Sequence, residues 1–278
     1  MSLRTTLQEA AEPLPNGKVT YAAAEGVALL TLTNPPANGY SYEMMRDLDE
    51  AVLRARFDDD VYAVVLAGEG EKFFCAGADI SMLDSVTPTF KYAFCLHANE
   101  TMLRLEHTPK IVIAALGGHC VGGGLEIALS ADLRYARRGS GKCGLPEVAL
   151  GVLPGTGGTQ RLARAIGASK AIELMTSGAT FDYDEAERLG LVNAQLDAAD
   201  EAAFLDDVLE RAAALCPPRK AGLSVGLIKR AVQSGVDLPL ESGLALEREL
   251  QQRLFTSRDA KEGIAAFVEK REARFEGA

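Results

Sequence analysis

The sequence Gly122-Gly123-Gly124-Leu125-Glu126-Ile127-Ala128 places one acid in an otherwise apolar stretch. Three glycines that lead into a helix leave backbone N–H groups without side chains at the positive end of the helix dipole, where an oxyanion would be stabilised. Close packing of a strand against a helix would require the same glycines, so the stretch alone leaves both interpretations open. A buried carboxylate is costly unless it is paired or used in chemistry, although the dipole would also stabilise Glu126 in a first helical turn.

Two further segments combine glycines with acids. Residues 73–80 read Phe-Phe-Cys-Ala-Gly-Ala-Asp-Ile, and residues 145–162 run from Leu-Pro-Glu to Gly-Gly-Thr-Gln-Arg-Leu. Glu147 follows Pro146 in an expected turn, where a lone glutamate is usually a solvated surface acid. Alone, this second glutamate therefore carries little functional information.

The surrounding hydrophobic pattern alternates between strand and helix periodicity. It predicts strands at 19–22, 27–32, 63–66, 111–116 and 133–136, and helices at 41–57, 88–106 and 122–130. Such alternation is typical of an α/β fold. After residue 195 the pattern predicts helices alone, at 200–215, 219–234, 239–255 and 259–272. We expect an α/β core over 1–195 and a helical region over 196–278 that packs on the core or on a neighbouring subunit, since no low-complexity linker separates them.

Composition restricts the class of protein. The chain has 278 residues, 47% of them hydrophobic and 24% charged, as in ordinary folded proteins. A formal net charge of -10 disfavours nucleic acid and anionic membranes as partners. The longest aliphatic run, Ile111–Leu116, is far shorter than the roughly 20 residues that span a bilayer. Because the five cysteines include no CxxC pair and the amino terminus has no apolar leader, we expect a cytoplasmic protein without disulfides or structural zinc.

Motifs of several other enzyme classes are incomplete. Residues 139–143 resemble part of a P-loop, but Ala136 stands where the first glycine belongs and Cys143 replaces Ser or Thr. The glycine run at 117–124 fits no G-x-G-x-x-G register. The three histidines lack the spacing of metal ligands, so that structural roles are expected for them.

Taken in order, residues 73–80, 122–128 and 145–162 resemble the crotonase superfamily, and in particular the enoyl-CoA hydratases. The resemblance extends from 34–38 to 267–271 and spans nearly the whole chain. Each motif alone is moderately specific, whereas the ordered set is highly specific. It implies the crotonase fold, an α/β spiral of ββα units with a helical carboxy-terminal region that makes trimer contacts, and hexamers built from two trimers.

The resemblance also implies a reaction, the reversible syn addition of water to a 2-enoyl-coenzyme A (CoA) thioester to give a 3-hydroxyacyl-CoA. Glu126 would orient and deprotonate the water that attacks C3, and Glu147 would handle the proton at C2. The backbone N–H groups of Ala78 and Gly123 would hold the thioester oxygen. Asp79 would order this loop, although a cap for the following segment fits its position equally well.

For the coenzyme, the resemblance assigns backbone contacts to the loop Pro36-Ala37-Asn38 and to Ala76. It assigns Phe267 and Lys270 to the adenine and the 3'-phosphate of a ligand that is bound partly to a neighbouring subunit. Coenzyme A is here part of the substrate, so neither a separate cofactor nor a metal is expected. The acyl-CoA site belongs to the predicted core.

Three departures from the family pattern bear on specificity. The loop at 34–38 is shorter than the usual N-R-P-x-x-x-N, one extra residue lies within 137–142, and residues 82–94, which help to shape the acyl pocket in the family, match no substrate class. A Δ3,Δ2-enoyl-CoA isomerase needs one carboxylate and is disfavoured by the presence of two. A hydratase specialised for branched acyl-CoA and a noncatalytic or RNA-binding homologue are further alternatives, and the acidic net charge disfavours RNA.

Overall fold

A computed structural model describes the backbone of residues 1–278 and all side chains except those of Ile80 and Ser81. The helices are α1 (Leu3–Glu9), α2 (Tyr42–Phe57), α3 (Ile80–Ser85), α4 (Pro88–His107), α5 (Gly123–Leu129), α6 (Gly158–Ile166), α7 (Ala168–Ser177), α8 (Tyr183–Arg188), α9 (Glu201–Ala213), α10 (Gly222–Gly235), α11 (Leu240–Phe255) and α12 (Arg258–Glu269). The strands are β1 (Glu12–Pro13), β2 (Val19–Ala24), β3 (Val27–Leu32), β4 (Ala63–Gly68), β5 (Phe73–Cys75), β6 (Ile111–Leu116), β7 (His119–Val121), β8 (Leu133–Arg137), β9 (Lys142–Gly144), β10 (Thr180–Asp182) and β11 (Ala194–Leu196). A 3-10 turn covers Glu147–Leu150.

Two sheets form the centre of the fold. The larger sheet has the order β1-β2-β3-β4-β6-β8-β11 and is parallel from β3 onward. The smaller sheet has the order β10-β9-β7-β5, and its strands β9, β7 and β5 are parallel. Parallel strands require crossover connections. Here each crossover adds one strand to the smaller sheet and then a helix, as in β4-β5-α4, β6-β7-α5 and β8-β9-α6, so the expected ββα repeat is confirmed.

Helices cover both faces of the larger sheet. On one face, Met44 of α2 and Met102 of α4 belong to the main hydrophobic core. On the other face, Phe204 of α9 lies in a second core. Successive strand residues enter opposite cores, as Val64 and Val65 of β4 do. This burial of both faces explains why the parallel strands are continuous apolar runs in the sequence.

The expected α/β alternation is confirmed, with differences at short elements. The helix predicted at 41–57 is α2, and the Ser41 hydroxyl caps it by accepting a hydrogen bond from the Met44 N–H at 3.2 Å. The three-residue strands of the smaller sheet and the helices between 158 and 188 were not predicted, because three residues are too few to show a periodicity. The last helix ends at Glu269, short of the predicted residue 272, since Lys270 adopts a left-handed conformation with φ of 57°.

The turn between β7 and α5 requires glycine at two positions. Gly122 has φ of 54° and ψ of -131°, a region that L side chains rarely adopt. Gly124 lies so close to β5 that a Cβ would stand 2.3 Å from the carbonyl oxygen of Cys75. The start of α5 is therefore pressed against the smaller sheet, and Glu126 follows in its first turn. Close packing, one of the two interpretations of the glycines, therefore applies to this turn.

The carboxy-terminal helices pack on the core through α10. Lys229 is 6% exposed, places its ammonium 2.7 Å from Asp132 Oδ2, and donates to the carbonyl oxygens of Leu105 and Lys110 at 3.0 Å. Large exposed apolar side chains on α10, α11 and α12 are Ile228, Val232, Leu240, Leu244, Phe255, Ile264, Phe267 and Val268. A membrane-spanning length of apolar residues occurs in none of the described helices.

Candidate active site

Glu126 is buried in α5, with 3% of its surface exposed. Its Oε1 accepts hydrogen bonds from the N–H groups of Thr156 and Gly158, both at 2.8 Å, and its Oε2 accepts one from the Thr156 hydroxyl. These donors lie at the start of α6, and a Cβ on Gly158 would stand 3.0 Å from Oε1, so the glycine permits a close approach. A carboxylate offers about four acceptor sites. The three hydrogen bonds from Thr156 and Gly158 fill three acceptor sites of the Glu126 carboxylate, so one site remains for a further donor.

Glu147 opens the 3-10 turn and is half-buried against the glycine turn that leads into α5. A Cβ on Gly122 would stand 2.8 Å from Glu147 Oε1, while Glu147 Oε2 is buried with no hydrogen-bond partner among the described residues. Burial and, less strongly, the charge of Glu126 raise the pKa of Glu147 to about 7, against the opposing effects of its own backbone N–H and of Lys91. The carboxyl therefore carries a proton part of the time near neutral pH.

The backbone N–H groups of Ala78 and Gly123 come together where two loops meet. A Cβ on Gly77 would stand 3.4 Å from the backbone nitrogen of Gly123. The backbone of Tyr40 fixes the loop on either side of Ala78, because its N–H donates to Gly77 O at 2.8 Å and its carbonyl accepts from the Asp79 N–H at 3.1 Å. Among the described residues, neither the Ala78 N–H nor the Gly123 N–H has a backbone acceptor. The two donors are thus available to a ligand oxygen.

Asp79 lies at the start of α3. Its Oδ1 accepts a hydrogen bond from the Met82 N–H at 3.3 Å, and its carbonyl oxygen accepts one from the Leu83 N–H at 3.1 Å. The capping contact considered from the sequence is therefore present. Because the Asp79 N–H also donates to Tyr40, the same residue links the helix start to the loop that carries Ala78.

The loop before α2 contains the first group of candidate coenzyme residues. The carbonyl oxygen of Ala37 accepts the Ala76 N–H at 3.0 Å, which joins this loop to the end of β5. Asn38 is 3% exposed, has φ of 53°, and donates its side-chain amide to the carbonyl oxygens of residues 69, 73 and 74. Pro36 is exposed and Ala37 is half-buried. The Asn38 side chain thus fixes the loop, while Pro36 and Ala37 remain accessible to a ligand.

Phe267 and Lys270 form the second group, at the end of α12. Phe267 is 86% exposed, and Lys270 is the exposed C-cap. In the single chain neither side chain is described in a hydrogen bond or an ion pair with either glutamate or with the loop at 34–38. The structure therefore does not bring these two residues together with the rest of the candidate site within one subunit.

Three residues near the glutamates were not singled out from the sequence. Thr156 holds Glu126, and Tyr40 packs its ring on Gly123, where a Cβ would stand 3.1 Å from the ring. The Tyr40 hydroxyl is buried near the Thr156 side chain, and burial raises its pKa well above the usual value, against the opposing effect of a hydrogen bond with Thr156. Lys91, near the start of α4, acts electrostatically on Glu147. In the sequence, Thr156 is a threonine between two glycines and Lys91 is a lysine near the start of a predicted helix. Neither pattern indicates which residue the side chain contacts in the folded protein.

An ion pair behind the site braces the Thr156 loop. The guanidinium of Arg161 binds both carboxylate oxygens of Glu106, at 2.7 and 2.8 Å, and donates to the carbonyl oxygen of Thr156 at 3.2 Å. This pair also lines a groove of about 870 Å³ between α4, α6 and α10, which neither Glu126 nor Glu147 reaches.

Comparison with known proteins gives consistent results. The family model described as Enoyl-CoA hydratase/isomerase matches residues 22–278. A Bacillus subtilis (strain 168) protein named probable enoyl-CoA hydratase is 38% identical over 93% of this chain and 98% of its own length. The short-chain-enoyl-CoA hydratase of Clostridium acetobutylicum is 36% identical over 88% of this chain and 92% of its own length.

Among solved structures, one from Geobacillus kaustophilus HTA426, described as "Enoyl-CoA hydrates", matches with a TM-score of 0.90 at 43% identity. The match covers 94% of this chain and 97% of that chain. The chain has the crotonase fold and belongs to the enoyl-CoA hydratase/isomerase family.

Proposed function

We propose that the protein catalyses the reversible syn addition of water to a 2-enoyl-CoA, giving a 3-hydroxyacyl-CoA. The observation that carries this proposal is the contrast between its two carboxyl groups. Glu126 is held as an acceptor by three hydrogen bonds, whereas the pKa of Glu147 is raised to about 7. Hydration needs one group that takes a proton from water and another that gives a proton to carbon.

Glu126 acts on the water. Its one unfilled acceptor site can receive the O–H of a water molecule, and the contacts from Thr156 and Gly158 keep the carboxyl in a single orientation. A fixed orientation matters because the attacking oxygen must approach C3 within van der Waals distance and from one face of the double bond, roughly perpendicular to its plane. Glu126 then accepts the proton as the C3–O bond forms.

Glu147 supplies the proton that C2 receives. Its Oε2 has no described partner, and its raised pKa keeps a useful protonated fraction at neutral pH. A carboxylic acid with a pKa near the working pH gives good general acid catalysis. In the reverse direction Glu147 removes the C2 proton and Glu126 protonates the departing hydroxyl.

The thioester oxygen becomes negatively charged as water adds, and the N–H groups of Ala78 and Gly123 stabilise it. Support comes from the absence of a backbone acceptor for either N–H among the described residues and from the close approach of the two loops. Donors that are oriented before the reaction stabilise such a charge without reorganisation. Asp79 contributes by fixing the loop that carries Ala78.

Coenzyme A is part of the substrate, and no separate cofactor takes part in the reaction. We propose contacts from the loop 36–38 and from Ala76, with Phe267 and Lys270 of α12 reaching a coenzyme bound partly to a neighbouring subunit. The exposed apolar side chains of α10, α11 and α12 support a homotrimer, or a homohexamer of two trimers. The five free thiols fit a reducing cytoplasm.

The principal alternative is a Δ3,Δ2-enoyl-CoA isomerase, which moves one proton with one carboxylate. An isomerase would leave one of the two carboxyl groups without a role. The hydrogen bonds from Thr156 and Gly158 hold Glu126 in a fixed orientation, which favours hydration, because that reaction uses both carboxyl groups. Incubation with 2-enoyl-CoA thioesters of different chain length and branching tests the proposal. We expect the absorbance of the conjugated thioester to fall, and in heavy-oxygen water the product should carry the label at C3. An isomerase would instead convert 3-enoyl-CoA to its conjugated form without incorporating oxygen.

A further inference from the structure

Lys91 is a half-buried cation whose charge acts on Cys95 and on Glu147. It lies close to the start of α4, which Thr87 caps and Pro88 opens, and the first turn contains no acidic side chain. A helix dipole opposes positive charge at this end. Among the described residues no carboxylate forms an ion pair with the Lys91 ammonium, although the side chain is half-buried. Within α4 its contacts are with the ring of Phe94 and the thiol of Cys95.

The surroundings of the ammonium connect it to the reaction centre. Its nitrogen lies 5.2 Å from the ring centroid of Phe94, which is 1% exposed and whose ring centroid is 5.2 Å from that of Tyr40. Cys95, the next residue, places its sulfur 3.4 Å from the position of a Cβ on Gly155, directly before Thr156. The charge of Lys91 lowers the pKa of Glu147. Lys91 and Cys95, one helical turn apart, thus lie on the side of α4 that approaches the Glu126 loop, and the charge of Lys91 acts on Glu147.

We propose that Lys91 binds a carboxylate at the far end of the acyl group, so that the preferred substrates are 2-enoyl-CoA thioesters with an anionic acyl tail. This inference rests on the proposed hydration. A hydrocarbon tail would displace water from the ammonium without replacing its hydrogen bonds, which is unfavourable. A carboxylate would instead supply charge-assisted hydrogen bonds to the ammonium.

Two other roles of Lys91 predict different behaviour. Binding to a coenzyme phosphate would make every acyl-CoA, whatever its tail, depend equally on the lysine. A role confined to the pKa of Glu147 would change turnover of all substrates in parallel and leave ligand affinity unchanged. Only a contact with the tail changes the ratio between a charged and a neutral substrate.

The experiment compares two enoyl thioesters of the same shape, glutaconyl-CoA with a terminal carboxylate and 5-methylhex-2-enoyl-CoA with an isopropyl group in its place. The ratio of kcat/KM for the charged over the neutral substrate is measured in wild type, Lys91→Gln, Lys91→Glu and Lys91→Arg. We expect the ratio to fall about 10- to 100-fold in Lys91→Gln, and further in Lys91→Glu, while Lys91→Arg retains most of it. The Kd values of glutaryl-CoA and 5-methylhexanoyl-CoA, which cannot react, should change in the same direction.

Lys72 provides a matched control, because it is an exposed lysine whose ammonium lies 5.3 Å from the ring centroid of the following Phe73. Lys72→Gln should leave the ratio as in wild type. A ratio that is the same in wild type and Lys91→Gln overturns the assignment of Lys91, and the hydratase activity stands. Absence of turnover with every enoyl thioester overturns the proposed hydration together with this inference.

Discussion

Thr156 donates two hydrogen bonds to Glu126, one from its backbone N–H at 2.8 Å and one from its hydroxyl. The backbone contact depends on the shape of the loop, which Arg161 braces through the Thr156 carbonyl oxygen. The hydroxyl contact depends on the side chain alone. The two contributions can therefore be separated by substitution.

We expect Thr156→Val to lower kcat about 10- to 100-fold with little change in KM, because a hydrogen bond to a charged group is lost while the shape and the backbone N–H remain. Thr156→Ser restores the hydroxyl and should recover most of the turnover. The measurement is steady-state hydration of crotonyl-CoA by both variants. An equal loss in Thr156→Ser would mean that packing of the methyl group, and not the hydroxyl, is what matters.

The two glutamates should be needed together. Glu126→Gln and Glu147→Gln keep the shape of each side chain and remove its proton transfer, so each should reduce hydration at least about 100-fold. The double variant should lose less than the product of the single losses, because the two groups act in one step. Calorimetric titration with a saturated acyl-CoA checks that binding persists. Near-normal turnover in either single variant would exclude the two-carboxylate mechanism.

The pKa of Glu147 predicts the basic limb of the pH profile. Its acid form exists below the pKa, which burial and the charge of Glu126 raise to about 7. In the hydration direction kcat/KM should therefore be highest below this value and fall with rising pH, approaching about tenfold per pH unit. Since Lys91 lowers this pKa, Lys91→Gln should move the limb to higher pH. A profile that stays flat well above neutral pH would remove Glu147 as the general acid.

The proposed oxyanion donors are backbone groups, so proline is the informative substitution. Ala78→Pro removes one N–H and should lower turnover about 100-fold or more, whereas Ala78→Ser keeps the N–H and should be much milder. Circular dichroism and thermal melting establish whether the proline variant is folded. Full activity in a folded Ala78→Pro protein would show that this N–H does not hold the thioester oxygen.

The sequence predicted the large elements of the fold because their periodicity is local. Met44 and Leu48, one helical turn apart, are both buried in the core. The contacts that define the site are not local. Thr156 reaches Glu126 from 30 positions away, and the charge of Lys91 acts on Glu147 although the two residues lie on separate elements. Motif order could suggest which acids matter, but their hydrogen bonds and the raised pKa of Glu147 depend on burial that only the folded chain creates.

Lys270 tests the proposed contact with the 3'-phosphate of coenzyme A. It follows α12 with φ of 57°, and Lys270→Gln removes its charge while placing another non-glycine side chain in the same left-handed conformation. We expect KM for enoyl-CoA to rise and kcat to stay nearly constant, the pattern of binding lost equally from ground and transition states. Wild type should bind a dephospho-CoA thioester about 2- to 10-fold more weakly than the CoA thioester, as expected of a partly exposed charged contact. Lys270→Gln should scarcely distinguish the two ligands. If it discriminates between them as strongly as wild type does, the 3'-phosphate is bound by another residue.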